Sequence, residues 1–246
     1  MLILAIDTSG KQGSITLARG DESSFSLIET TPVEGGTFSA QLVPQIAALL
    51  ARHQLRKEQI DAFAAATGPG SFTGLRVGLA AIKALAEVLR KPIAAVSLLQ
   101  AIAAAGLKAQ GVWQADAKAK VAALLDAGRD EIYCGEYAFA DPLPIRLQER
   151  LLRPEELAAQ LQAPSVKIAA LTPDGHLLEI LRKTMPDPER LKALQVEHPG
   201  SAGIARLGIQ KILAGEVTSV EELDANYIRR SDAEIFSLPK IQGAAK

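Results

Sequence analysis

The chain holds a single cysteine, Cys134, so no internal disulfide can form, which fits a reducing compartment. Aromatic residues make up only 4% of the 246 positions. The three histidines, His53, His176 and His198, are too scattered for an H-x-x-x-H or H-E-x-x-H metal site, and each reads as a surface or turn residue. Charge of one sign is missing too: Lys+Arg total 27 against Asp+Glu 28, a formal net charge of -1. A tight, sequence-nonspecific grip on nucleic acid needs a basic excess to neutralise phosphates, so none is expected from this chain alone. No apolar run is long enough to span a bilayer, because Lys83, Glu87, Arg90, Lys91 and Pro92 interrupt the alanine-rich stretch 79–105. The opening residues show no basic leader and only a short apolar run, so a cytosolic location without a membrane partner is expected.

What is present is the balance of a folded protein, with 48% hydrophobic and 22% charged residues. The length suits one large domain or two small ones. Residues 2–6 form an apolar run that ends in Asp7-Thr8-Ser9-Gly10, which predicts a buried strand entering a polar turn. Strands are predicted at 14–18 and 25–30, lying antiparallel beside the first. Phe38, Leu42, Ile46, Leu49 and Leu50 recur at helical spacing between 37 and 53, where Pro44 signals either a kink or a separate entry turn. A small-residue strand at 62–66, a helix at 74–89 stopped by Pro92, a strand at 93–96 and a helix capped by Ser97 complete a β-β-β-α-β-α-β-α order. The weakly hydrophobic stretch 106–119 marks the expected boundary between lobes. Beyond it, strands are expected at 121–126, 131–139 and 166–171, and helices from Pro154 and over 201–213. The tail from Leu238 is expected to be disordered. No short-period internal repeat is visible.

The densest signal is 67–78, where four glycines and a proline sit between a strand and a helix. Glycine is used where φ turns positive or where a backbone or ligand comes close, and such a loop at a helix start can also hold an anion. The pattern matches neither G-x-x-x-x-G-K-[ST] nor G-x-G-x-x-G, and the alternative is a tight strand-to-helix connection. Gly74 and Gly78 lie within the helix pattern, where each costs roughly 1 kcal/mol relative to alanine. They share a face with Ala81 and Leu85, beside Val77. That face permits close approach either of another helix or of the chain's own sheet, and the residues leave both open. Asp7, Thr8 and Ser9, with Gly68 and Gly70, are the candidate nucleotide contacts. A polar turn capped by Asp is the competing explanation. Asp126-Ala127-Gly128 is a second, weaker turn of this kind. Ser71 lacks the G-x-S-x-G frame of a nucleophile, and Cys134 on an alternating strand reads as a buried thiol.

Three segments carry a resemblance: residues 1–9, the run Thr67-Gly-Pro-Gly-Ser-Phe-Thr-Gly-Leu-Arg-Val-Gly78, and Glu131-Ile-Tyr-Cys-Gly-Glu-Tyr137. Together with Ala225-Asn-Tyr-Ile-Arg-Arg230 they closely resemble the TsaB (YeaZ) family, over nearly the whole chain. The resemblance implies a two-lobed actin-like (ASKHA, ribonuclease H-like) α/β fold of mixed sheets flanked by helices. The first lobe would span 1–106, completed by a helix at 201–214, and the second 107–200, leaving 215–246 as a C-terminal segment and tail. It implies a non-catalytic subunit of tRNA threonylcarbamoyladenosine formation that binds a TsaD-type catalytic subunit and a TsaE-type ATPase. The chain would dimerise when alone and meet tRNA only through the complex. Gly74, Val77, Gly78, Ala81 and Leu85 would form the partner ridge, with Gln41 and Gln45 of the preceding helix beside it. On this reading a bulky residue at Gly78 should abolish pairing and leave the monomer folded.

The resemblance implies no cofactor, metal or catalytic residue, and leaves room for a nucleotide only at the partner interface. The helix that carries metal-binding histidines in TsaD-type relatives offers Phe38, Gln41 and Gln45 here, and many TsaB-like chains carry a histidine near Phe38. The competing class is a stand-alone actin-like ATPase or carbamoyltransferase using Asp7, Asp126 and the 68–70 loop.

Overall fold

The computed structural model describes residues 1–110, 120–138, 143–162, 168–187 and 192–229. Strand β1, Leu2–Asp7, is buried at all six positions, as a run without polar alternation requires when both sheet faces are covered. It pairs antiparallel with β2, Gln12–Gly20, which pairs antiparallel with β3, Phe25–Glu34. On its other side run β4, Ala62–Gly68, and β5, Ile93–Ser97, both parallel to β1, giving the order β3-β2-β1-β4-β5. Helix α1, Phe38–Arg52, connects β3 to β4, and α2, Phe72–Leu89, connects β4 to β5. After β5 comes α3, Leu98–Gln110.

The second half repeats the scheme. Strands β6, Lys120–Gly128, β7, Glu131–Ala138, and β8, Ile145–Leu152, form an antiparallel set, and β9, Ile168–Thr172, and β10, Ala193–Gln195, run parallel to β6 on its far side. Helices α4, Pro154–Leu161, α5, Gly175–Thr184, and α6, Gly200–Leu213, occupy the places of α1, α2 and α3. The chain is thus one β-β-β-α-β-α-β-α unit used twice. That is the two-lobed, ribonuclease H-like architecture of the actin-like (ASKHA) fold. The repeat escapes a reading of residues because it lies in strand order, with different side chains in each half.

The third helices are exchanged between the lobes. Ile204, Ala205, Leu207 and Ile209 of α6 pack with Ile3, Ala5, Ala64 and Val96 on the first sheet. Leu98, Leu99, Ile102 and Ala103 of α3 pack with Val121, Ala123 and Leu171 on the second. Helices α1 and α2 cover the opposite face of the first sheet, against Leu4, Ile6, Leu17 and Phe63. Each fully buried Leu, Ile or Phe in these layers contributes about 1.5–3 kcal/mol.

Several expectations change. Helix α1 runs through Pro44 as one element. Pro44 and Ala40, the carbonyl it deprives of a bond, are both exposed, so water can satisfy that oxygen. The expected boundary at 106–119 is helical as far as Gln110: a Cβ on Gly106 would strike the Leu171 side chain, so this glycine seats α3 on the second sheet. The rest of that stretch, residues 163–167 and the tail from 230 lie outside the described residues. Strand β8 and helix α5 escape the sequence pattern. The first is an edge strand whose charged and apolar residues hide the alternation. The second begins at a Pro-Asp-Gly run that reads as a turn, and Asp174 caps it by accepting from the His176 amide at 2.9 Å.

The seat of α2 sets which of its faces the molecule can show. Its N-cap, Ser71, accepts from the Gly74 amide at 3.2 Å, while the Ser71 amide donates to the Ser9 carbonyl at 2.7 Å. A Cβ on Gly74 would run into the Thr8 carbonyl, one on Gly78 into the Thr8 hydroxyl, and one on Gly70 into Ser9. The glycines therefore let α2 lie against the end of β1, and the close approach is internal. Gly78→Ala is expected to cost about 1–3 kcal/mol by overpacking and to lower the melting temperature by several degrees in a thermal unfolding scan. Gly78→Leu should fail to fold, in place of folding without its partner; an unchanged melting temperature for Gly78→Ala would refute this seating.

Candidate functional site

The carboxyl ends of β1, β4 and β5 point the same way, toward the second lobe, where ligand sites of open α/β sheets form. A cleft of ≈ 680 Å³ opens there. Ser9, Gly10, Lys11, Gly70, Ser71, Gly74 and Val77 line it from the first lobe, and Asp126, Ala127 and Tyr133 from the second. Of the five candidate nucleotide contacts, only Ser9 and Gly70 reach this lining. Asp7, Thr8 and Gly68 lie buried beneath it. The Asp7 carboxylate accepts from the Ser9 amide at 2.9 Å and the Ser9 hydroxyl at 2.6 Å, so it closes the turn. Gly68, at φ +106, supplies the left-handed geometry that starts the loop. Among the described residues no group of three or more His, Cys, Asp or Glu side chains gathers to hold a metal.

The lobes are joined by a buried carboxylate. The Glu149 side chain, only 4% exposed, accepts from Ser97 Oγ at 2.5 Å and from Tyr137 Oη and Asn226 Nδ2. Burial, then the neighbouring Glu149 charge, pushes the Tyr137 phenol well above its ordinary range, so it stays a donor at any working pH. Gln100 Nε2 adds a bond to the Pro144 carbonyl at 3.1 Å. Residues 218–229 then run as a strap over both lobes. Thr218 pairs with Ile93, the Asn226 amide donates to the Thr67 carbonyl at 2.7 Å, and Arg229 donates to the Ala127 and Gly128 carbonyls and to Glu131. This network is not legible in sequence, since Ser97, Tyr137, Glu149 and Asn226 lie on four separate segments.

The structure spreads the expected partner ridge over several environments. Gly74 and Gly78 are buried against the molecule's own β1 turn, with Gly74 also lining the cleft. Val77, Ala81 and Leu85 are half-buried flank residues packed against the core. Gln41 is half-buried too, and so is Gln45. Outward from α2 stand Thr73, Ala80, Ala84 and Val88, the last 72% exposed, with the charged Arg76 and Glu87 exposed along one edge of that row. Helix α1 lies alongside and shows Ala40, Val43, Pro44, Ala47, Ala48 and Ala51, with no charged residue before Arg52. Two neighbouring surface helices thus turn rows of alanine and valine to solvent, bordered by Arg52, Arg76 and Glu87, where polar residues normally stand. The missed signal is a second apolar row at helical spacing, Ala80, Ala84 and Val88, on the side away from the core. Cys134 is fully buried, and burial raises its thiol to about 12, which removes it from reaction.

These features define a two-lobed actin-like protein with an interlobe cleft and an apolar outer helix pair. The family model described as TsaD, tRNA N6-adenosine threonylcarbamoyltransferase, matches residues 34–212. A Bacillus subtilis relative named tRNA threonylcarbamoyladenosine biosynthesis protein TsaB is 29% identical over 240 residues, 95% of this chain and 96% of that one. The Haemophilus influenzae protein of the same name is 31% identical over 172 residues, 66% of this chain and 68% of its own. YeaZ from Pseudomonas aeruginosa superposes with a TM-score of 0.71 at 27% identity, covering 92% of this chain and 99% of that one. The chain belongs to the TsaB (YeaZ) family, within the broader group that the TsaD model describes.

Because Glu149 closes the lobes on each other, Glu149→Ala strands the Tyr137, Ser97 and Asn226 donors, at about 1–3 kcal/mol for each left without a partner. The expected outcome is a lower melting temperature together with faster proteolysis within 218–229. A variant as stable and as protease-resistant as wild type would show that the carboxylate does not hold the lobes.

Proposed function

We propose that this chain is a non-catalytic accessory subunit of tRNA threonylcarbamoyladenosine formation, pairing with a TsaD-type threonylcarbamoyltransferase through the outer faces of α1 and α2. The observation that carries the proposal is the run of exposed apolar residues on two adjoining helices, Val43, Ala47, Ala80, Ala84 and Val88, with charge only at its borders. Charged residues are depleted at the cores of protein interfaces, and an apolar face of this kind is stabilised by being covered. Small alanines let a partner helix come close without a cavity, and the flanking Val77, Ala81 and Leu85 would then be sealed from both sides. The relatives' names supply the pathway.

Pairing acts on the partner's conformational equilibrium. Binding energy at this face favours the partner conformation that fits it, and the transfer chemistry stays in the partner. The same face serves a homodimer when the chain is alone, so partner and self compete for it. A TsaE-type ATPase joins the assembly, and tRNA meets this chain only within that complex. The alternative, a stand-alone ATPase, has the interlobe cleft in its favour and predicts saturable ATP binding with magnesium by the isolated chain.

Ala84→Arg puts a charge in the middle of the face without touching the core, so fold stability should stay within about 0.5 kcal/mol of wild type. Size-exclusion chromatography with light scattering, run with the same organism's TsaD-type subunit, should show the heterocomplex for wild type and its loss in the variant. An intact heterocomplex in Ala84→Arg would remove this face from the interface. Absence of any wild-type complex, with ATP bound in calorimetric titration, would favour the ATPase.

A further inference from the structure

Beside the helix face, where α2 begins, Arg76 is held in a fixed pose. Its guanidinium lies 3.7 Å from the centroid of the Phe72 ring and 5.9 Å from that of Tyr227, and its Nε donates to Tyr227 Oη at 3.0 Å. Phe72 and Tyr227 stack on each other at 5.2 Å with a 40° tilt. Both Arg76 and Phe72 are exposed, Phe72 by 41%. Among the described residues Arg76 has no carboxylate partner. A solvated arginine ordinarily gains little from being fixed, since ordering a long side chain costs on the order of 1.5–2 kcal/mol. Here three contacts, one from Phe72 and two from Tyr227 151 positions further along the chain, hold one plane in place with no carboxylate against it among the described residues.

A groove of ≈ 380 Å³ adjoins this stack. Pro69, Phe72, Tyr133 and Tyr227 give it flat, weakly polar walls, and Arg129 and Arg229 stand at its second-lobe rim. Glu131 offsets part of the Arg229 charge, so the groove suits one nucleotide in place of a long phosphate backbone.

We propose that Phe72, Arg76 and Tyr227, with this groove, form a contact site for one unpaired nucleotide of an RNA strand. Flat aromatic rings and guanidinium planes are what unstacked bases lie on, and arginine at the edge meets the phosphate. A net charge of -1 denies the chain a general electrostatic grip, so a single preorganised stack is the way it can touch RNA. That the nucleotide belongs to RNA rests on the tRNA role proposed for the chain. The stack itself does not.

The test is fluorescence anisotropy with a fluorescein-labelled short single-stranded RNA, the matching duplex, and adenosine monophosphate as competitor. Wild type should bind the single strand saturably and the duplex far more weakly. Arg76→Ala and Phe72→Leu should each weaken binding about tenfold, the size of one lost stacking contact. Arg76→Lys keeps the charge and loses the plane, so it should weaken binding nearly as much; full binding by Arg76→Lys would overturn the stack. No wild-type binding, or displacement by adenosine monophosphate at equal affinity, would overturn the RNA assignment. Melting temperatures control for folding. Ala84→Arg should retain RNA binding, which separates this proposal from partner pairing. Loss of pairing in Arg76→Ala with unchanged RNA binding would assign the residue to the partner and overturn the proposal.

Discussion

The surface that the first lobe shows to solvent depends on how closely α2 lies on the end of β1. That helix can rest on the Thr8-Ser9 turn only because Gly70, Gly74 and Gly78 present hydrogen atoms where any other residue would place carbon. With that side occupied, the rotation of the helix is settled. Leu75, Leu79, Ile82 and Ala86 go to the core, and Ala80, Ala84 and Val88 must face outward. The same seating places Phe72 on the wall of the smaller groove and Arg76 within reach of Tyr227.

Around that anchor the duplicated architecture distributes tasks. The first lobe supplies the outer helix pair, and the exchange of α3 and α6 ties each lobe's core to the other's chain. Glu149 and the 218–229 strap close the remaining gap with directional bonds that tolerate little misalignment. The result leaves an interlobe cleft on one side and the exposed alanines and valines of α1 and α2 on another. The Asp7 carboxylate is turned inward onto Ser9, while Ser9 and Gly10 of the same turn line the interlobe cleft.

Much of the fold was legible in the residues. Uniform burial of 2–7 comes from a run without polar alternation, and the first helix from the spacing of Phe38, Leu42, Ile46 and Leu49. The interaction surface was legible only by half. Glycines at positions 74 and 78 correctly signalled close approach, but spacing cannot say which neighbour approaches. The outward row of alanines and valines was hidden because alanine suits both a core and an exposed helix. Glu149 was invisible, since a carboxylate on an edge strand looks solvated until its donors from other segments are known.

By itself the sequence determined the strand and helix order of the first lobe, the family, the need for close packing near residue 74, and the lack of any local metal or nucleophile motif. These rest on short-range periodicity and on motif identity, which a linear string preserves. Tertiary structure alone decided that the glycine face is internal and that the apolar face left to solvent is the opposite one. It also decided that both halves share one topology, and that Arg76 and Tyr227, 151 residues apart, form one stack. Those are questions of which surfaces meet, and they are settled by the packing of the whole chain.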